Sequence, residues 1–121
     1  MSHIVEIQTQ VRDAAAVTSA CRRLQWPTPV EGVHRLFSGE EVGLGVQLPE
    51  WRYPVVCDLA TGSLKYDHFG GRCADPRHLD RFLQTYAVEQ ATLVARRQGH
   101  SVIERLLPDG AIRLTVQMAG G

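Results

Sequence analysis

The sequence has no excess of charge of either sign, and this balance excludes several classes of protein. Its 121 residues contain 13 Lys and Arg against 13 Asp and Glu, so the formal net charge is zero. A broadly basic nucleic-acid-binding protein would carry a clear positive excess. The 44% of hydrophobic residues also exclude a disordered chain, and the 11 glycines are too few for a collagen-like repeat. The length is that of one globular domain.

Paired cysteines and long apolar runs are missing as well. The three cysteines are Cys21, Cys57 and Cys73, an odd number with no C-x-x-C pair, which argues against a disulfide framework and favours a reducing compartment. No apolar run approaches the roughly 18 residues that would span a membrane. The N-terminus also lacks the basic start and apolar stretch of a signal peptide. These absences predict a cytoplasmic protein with no membrane partner.

Phosphate-binding motifs are absent too. The glycine-containing segment 39–45 lacks the Lys-Ser/Thr end of a phosphate loop, and no G-x-G-x-x-G opens a helix. We therefore predict no nucleotide and no other cofactor, and no nucleic-acid partner.

Two segments have helical periodicity. Asp13 is a suitable N-cap for a helix at Ala14–Leu24, where small apolar residues recur on one face. Asp75 and Pro76 begin a longer helix at 76–98, because proline fits the first helical position. Gly99 is placed to end it.

Alternation with a period of two residues predicts seven strands. They lie at 3–11, 33–37, 42–48, 53–59, 64–68, 102–107 and 112–118. The order β-α-β-β-β-β-α-β-β predicts an α+β fold in which two amphipathic helices cover an antiparallel sheet. This is a two-layer sandwich, with a ferredoxin-like variant as one form of it. Since no linker or repeat interrupts the pattern, we expect residues 1–121 to form a single domain.

One cluster has residue types that bind zinc. His68, Cys73 and His78 are spaced H-x4-C-x4-H, with Asp67 and Asp75 nearby. Structural zinc sites usually have tighter pairs such as C-x2-C, so a solvated loop explains the same residues. The sequence leaves zinc binding as an alternative.

A catalytic role for a cysteine lacks support. Cys57 or Cys73 could act as a nucleophile with His68 or His78, but a nucleophile needs a base within hydrogen-bond reach and an oxyanion donor. The sequence indicates neither, and Cys57 alternates with apolar neighbours as a core residue does. We predict no catalytic residue and favour a protein that is not an enzyme.

Two polar surfaces are candidates for binding a partner protein. One is the polar face of the first strand, and the other is the arginine-rich start of the second helix. Their candidate residues are His3, Glu6, Gln8, Gln10 and Arg12 on the first surface, and Arg77 and Arg81 on the second. Solvated faces of an antiparallel sheet and of a helix explain the same patterns.

The last strand is followed by a diglycine, Gly120-Gly121. Ubiquitin-like and sulfur-carrier modifiers end in this way, because glycines can enter a narrow adenylation site. The β-grasp fold of such modifiers has a hairpin before its helix, whereas this chain goes from a strand directly into a helix. A diglycine at a chain end is also simply flexible, so a conjugation tail is a second alternative.

Short motifs along the chain resemble a known family. Ser2-His3, Thr9-Gln10, Arg12-Asp13 and the strand from Tyr53 to Asp58 carry the first part of the likeness. The last third adds Phe82, Gln84, Tyr86-Ala87, Gln98-Gly99, Asp109-Gly110 and Ile112-Arg113-Leu114. In these motifs the chain resembles the hypothetical chloroplast open reading frame 35 family, whose bacterial relatives are described by the domain of unknown function 1257.

The resemblance implies a function but no catalytic residue. Members of that family are small soluble proteins of cyanobacteria, plastids and other bacteria, with no assigned activity. Bacterial relatives tend to be encoded near an ATPase of the AAA type and a ferredoxin-like protein. The resemblance therefore implies a bacterial accessory or adaptor protein that binds one of these partners.

Overall fold

The computed structural model describes residues 3–68 and 75–118, and it confirms the predicted α+β class and element order. The elements are β1 (His3–Gln8), α1 (Ala14–Leu24), β2 (Val30–Arg35), β3 (Glu40–Val46), β4 (Val55–Asp58), β5 (Ser63–His68), α2 (Pro76–Arg97), β6 (Ser101–Leu106) and β7 (Ile112–Gln117). Both helices begin at the predicted residues.

Five strands form one antiparallel sheet in the order β1-β5-β4-β3-β2. Strands β2 to β5 follow each other as a meander, and β1 lies at the far edge beside β5. In a ferredoxin-like fold each helix joins two parallel strands that have one further strand between them. Here α1 joins β1 to β2, which lie at opposite edges of the sheet with three strands between them, and α2 leads to the separate pair β6–β7. The sandwich is therefore built on a meander.

Both helices have the predicted caps. The Asp13 carboxylate accepts from the backbone N–H groups of Ala15 and Ala16, and Asp75 accepts from that of Arg77. These bonds satisfy N–H groups that have no partner inside the helix. Gly99, with φ of 80°, follows α2 in the left-handed region. Neither described helix combines the length and the apolar character needed to cross a membrane.

The core lies between the two helices and one face of the sheet. Leu44, Cys57 and Leu64 are cross-strand neighbours on that face, and all three are buried. Helix α1 contributes Val17 and Cys21, and α2 contributes Phe82 and Tyr86. Helix α2 also buries Thr85, Val88 and Thr92, whereas Val94 is 36% exposed.

Strand β1 ends three residues earlier than its alternation predicts. The Thr9 N–H and hydroxyl both donate to the Gly62 carbonyl, at 2.8 and 2.7 Å. This contact turns the chain out of the sheet, and Val11 enters the core with 2% of its surface exposed. Residues Gln10 and Arg12 therefore belong to the connection between β1 and α1.

Two glycines of β3 lie where neighbouring strands come close. A Cβ at Gly43 would lie 2.5 Å from the Cys57 carbonyl oxygen. A Cβ at Gly45 would collide with the imidazole of His34, whose Nε2 lies 2.7 Å from the Val30 carbonyl oxygen. Side chains at these two positions would push β2 and β4 away from β3.

Strands β6 and β7 form a separate two-stranded sheet that packs on the helices. The Arg23 guanidinium of α1 makes two 2.8 Å hydrogen bonds to the Glu104 carboxylate, and Gln84 Nε2 donates to the Gly110 carbonyl. Alternation along the last strand predicts an inward face that includes Val116 and Met118, but both residues are exposed.

Candidate partner-binding cleft

A cleft with two adjoining lobes lies between α2 and the segment that connects β1 to α1. One lobe has a volume of about 580 Å³ and the other about 340 Å³. Both share Gln10, Tyr86 and Gln90. The larger lobe is also lined by Arg12, Asp13, Ala14 and Arg97, and the smaller by Gln8, Thr9, Val11, Leu83 and Ala87.

Tyr86 fixes the wall that α2 and the connecting segment share. Its hydroxyl accepts from the backbone N–H groups of Arg12 and Asp13, at 3.0 and 3.1 Å, and donates to the Gln10 carbonyl at 3.2 Å. The ring is buried in the core. Three backbone groups are thus held by one rigid side chain, so the cleft has a defined shape.

Two arginines give one end of the cleft its charge. Arg97 Nη1 lies 3.3 Å from the Asp13 carboxylate, and Arg12 Nη2 donates to the Thr61 carbonyl at 3.2 Å. Both arginines are exposed. A guanidinium has five N–H donors, so each arginine keeps donors for an acidic group in the cleft.

The chemistry of the lining suits the binding of a peptide. The amides of Gln10 and Gln90 match the donors and acceptors of a peptide backbone, and Leu83 and Ala87 offer apolar surface. The buried cysteines lie elsewhere: burial raises the pKa of Cys21 to about 11 and that of Cys57 to about 12. Their reactive thiolate forms are therefore disfavoured.

The structure brings together part of the first predicted surface. Gln8, Gln10 and Arg12 line the cleft. Gln8 Nε2 also donates to the Thr61 carbonyl, which ties it to the turn before β5. Glu6 accepts a 2.9 Å hydrogen bond from the Ser63 hydroxyl, and His3 begins β1 opposite His68.

The second predicted surface lies away from the cleft. Arg77 is paired with Asp75 at 2.8 Å, and its hydrogen bonds lower the pKa of that carboxyl to about 2. Arg81 is exposed one turn further along α2. Neither arginine lines either lobe.

Sequence reasoning missed the residues that α2 contributes to the cleft. The helical spacing places Tyr86 on the apolar face of the second helix and Arg97 in the arginine cluster of that helix, but it indicates no role for Gln90 and does not bring the three residues together. The sequence contains a signal for these residues. Leu83, Tyr86 and Gln90 follow helical spacing, so they form a stripe on one helix face that is apolar at Leu83 and polar at Gln90. The spacing does not show which segment faces this stripe, because the alternation places Gln10 on the first strand and Arg12 at its end.

The other predicted sites fall partly outside the described residues. His78 lies in the first turn of α2, where its backbone N–H donates to the Asp75 backbone carbonyl at 3.1 Å. Cys73, Gly120 and Gly121 lie outside the described part of the chain. Within residues 3–68 and 75–118, no three His, Cys, Asp or Glu side chains form a group that could hold a metal ion. Zinc binding and the conjugation tail stay predictions.

Comparison of the chain with protein-family models, curated proteins and solved structures finds no match in any of the three. The resemblance to the hypothetical chloroplast open reading frame 35 family therefore stays a prediction.

Proposed function

We propose that this protein is a non-enzymatic accessory protein that binds an extended, acidic segment of a partner protein in the cleft. The observation that carries the proposal is that two exposed arginines and two glutamine amides line the same cleft, whose shape Tyr86 fixes. Amides can bind the backbone of an extended segment, and arginines can bind its carboxylates.

The size of the cleft supports a short segment rather than a whole domain surface. Its larger lobe falls within the range of pockets that take small ligands. The apolar lobe beside Leu83 and Ala87 suits one small hydrophobic side chain next to the acidic residue. A segment of a few residues would fill both lobes.

The family resemblance supplies two candidate partners, an AAA-type ATPase and a ferredoxin-like protein in a bacterial cytoplasm. A partner of this kind would carry the acidic segment at a terminus or in a loop. We expect its binding to weaken as salt is raised, because exposed charges are screened.

The experiment is affinity purification of the tagged full chain followed by mass spectrometry, with matched variants. Arg97→Ala removes a cleft arginine, and Ala87→Trp fills the apolar lobe from an exposed helical position. Arg81→Ala removes an exposed arginine outside the cleft and is the control. We expect both cleft variants to lose the captured partner, with the control retaining it.

Loss of the partner in Arg81→Ala alone would move the binding surface to the start of α2 and overturn the cleft proposal. Capture of neither an AAA-type ATPase nor a ferredoxin-like protein would remove the partners that the resemblance implies. Metal analysis of the same sample addresses zinc binding by His68, Cys73 and His78, and less than about a tenth of an equivalent would exclude it.

A further inference from the structure

Strand β2 is a free edge of the five-stranded sheet. The helices lie on one face of this sheet, but they do not cover the β2 side chains on that face. The register of β2 pairs Glu31 with Leu44, a core residue, so Glu31, Val33 and Arg35 share the face on which the helices lie. All three are exposed. Val33 is 64% exposed and its cross-strand partner Val42 is 68% exposed.

The charges beside this valine pair form no ion pair within the described residues, although Glu40 of β3 is the cross-strand neighbour of Arg35. Neither Glu31 nor Arg35 takes part in a described salt bridge. They lie two residues to either side of Val33, with opposite signs. The edge therefore has an apolar centre flanked by one negative and one positive side chain.

We infer that β2 pairs with β2 of a second copy of this chain, in an antiparallel ladder centred on Val33. A two-fold axis at Val33 places Glu31 opposite Arg35 of the second copy, and Arg35 opposite its Glu31. Val33 then faces Val33, and the two Val42 side chains extend the apolar row on both sides. The two sheets become one sheet of ten strands, with all helices on one face.

Symmetry allows few other registers, and none pairs these charges. The two-fold axis is perpendicular to the sheet, so a given residue of β2 lies on the same sheet face in both copies. Residues that face each other across the ladder must also share a face. The axis therefore passes through a residue and not between two consecutive residues. An axis at Gly32 would place Glu31 opposite Val33, and an axis at His34 would place Arg35 opposite Val33. Opposite charges across a ladder stabilise it, and like charges destabilise it.

The β6–β7 hairpin does not offer a pairing of opposite charges with a second copy of itself. Arg105 and Arg113 are direct cross-strand partners on the β6–β7 hairpin, and neither belongs to a described ion pair. A second hairpin of the same kind would add positive charge to positive charge. Self-complementarity is therefore a property of β2 among these exposed strands.

The experiment measures the dimerisation of the full chain by sedimentation over a range of concentrations. We expect a dissociation constant on the order of 10–100 µM, since one strand from each copy makes a small interface. E31R and R35E each place like charges in both flanking pairs, and we expect either variant to raise the constant at least tenfold. R113E changes the net charge as R35E does, but on β7, and is the control.

The decisive measurement is the sedimentation of an equimolar mixture of E31R and R35E. In the mixed dimer each altered residue faces a side chain of opposite charge, so the mixture should associate as tightly as the original protein. Circular dichroism of each variant establishes that it is folded.

A protein that stays monomeric up to about 1 mM would overturn the inference. So would a dimer that only R113E weakens, or a mixture that does not associate. The cleft lies at the opposite sheet edge, so these results are independent of partner binding.

Discussion

Cys21 and Cys57 lie in the core, and neither thiol has any exposed surface. Desolvation by burial raises the pKa of Cys21 from 9.0 to about 11, and that of Cys57 from 9.0 to about 12. In Cys57 a smaller contribution comes from the neighbouring Cys21. The folded chain therefore keeps both thiols protonated at a pH where the unfolded chain has begun to ionise them.

This difference predicts that the protein loses stability as the pH rises above 9.0. Above that value the unfolded state binds fewer protons than the folded state, so the free energy of unfolding falls with pH. Each thiol contributes up to about 1.4 kcal/mol per pH unit until its folded-state pKa is reached. Urea unfolding between pH 9.0 and about 11 measures the slope.

Cys57→Ala isolates the contribution of the Cys57 thiol to this slope. The variant is less stable at neutral pH because it leaves a small cavity, but we expect its stability to fall less steeply in alkali. Equal slopes in the variant and the original protein would contradict the assignment to Cys57.

At the scale of elements, the turn between β4 and β5 determines where β1 ends. The Gly62 carbonyl accepts from both the N–H and the hydroxyl of Thr9. Gly62 has φ of 80°, and a Cβ there would collide with the Thr9 carbonyl oxygen. The close approach directs residues 9–13 across the core, where Tyr86 holds them as one wall of the cleft.

Gly62→Ala should therefore destabilise the protein more than the same change at Gly99. Both glycines have φ of 80°, but a Cβ at Gly99 meets nothing within 4 Å. We expect Gly99→Ala to cost about 1–2 kcal/mol from backbone strain alone. Gly62→Ala should cost about 3 kcal/mol or more, because it also weakens the two Thr9 hydrogen bonds. Chemical denaturation gives both values, and equal losses would show that the close approach contributes nothing.

At the scale of the whole molecule, the β6–β7 hairpin is attached less firmly than the five-stranded sheet. Its strands pair only with each other, and Leu106 and Met118 are 74% and 72% exposed. The bond between Arg23 and Glu104 joins it to α1. Regions with few buried apolar contacts open below the free energy of global unfolding.

Hydrogen exchange should detect this opening. We expect Arg23→Ala to speed exchange in β6 and β7 about two- to fivefold, because an exposed ion pair contributes up to about 1 kcal/mol. Exchange in β3 to β5 should not change. Arg22→Ala removes a neighbouring arginine that forms no described ion pair, and it should leave the hairpin as it is. Faster exchange throughout the sheet in Arg23→Ala would mean that the hairpin opens only with the whole domain.

Local patterns in the sequence predict the element types, their order and the starts of both helices. These depend on local physics: a capping carboxylate at Asp13 or Asp75, a proline at the first helical position, and side-chain periodicity. The α+β class follows from them. The sequence also indicates Gln8, Gln10 and Arg12 as a polar set along the first strand, although only Gln8 lies in β1.

Which elements lie side by side depends on long-range contacts that form only in the folded chain. The neighbour order of the sheet depends on contacts between distant residues, such as Thr9 with Gly62, which no local pattern encodes. The cleft required Tyr86, 74 positions from Arg12, to meet its backbone N–H. The exposed edge at Val33 likewise depends on where the helices stop covering the sheet. Alternation indicates that a strand has an apolar face, but the packing of the helices decides whether that face is buried.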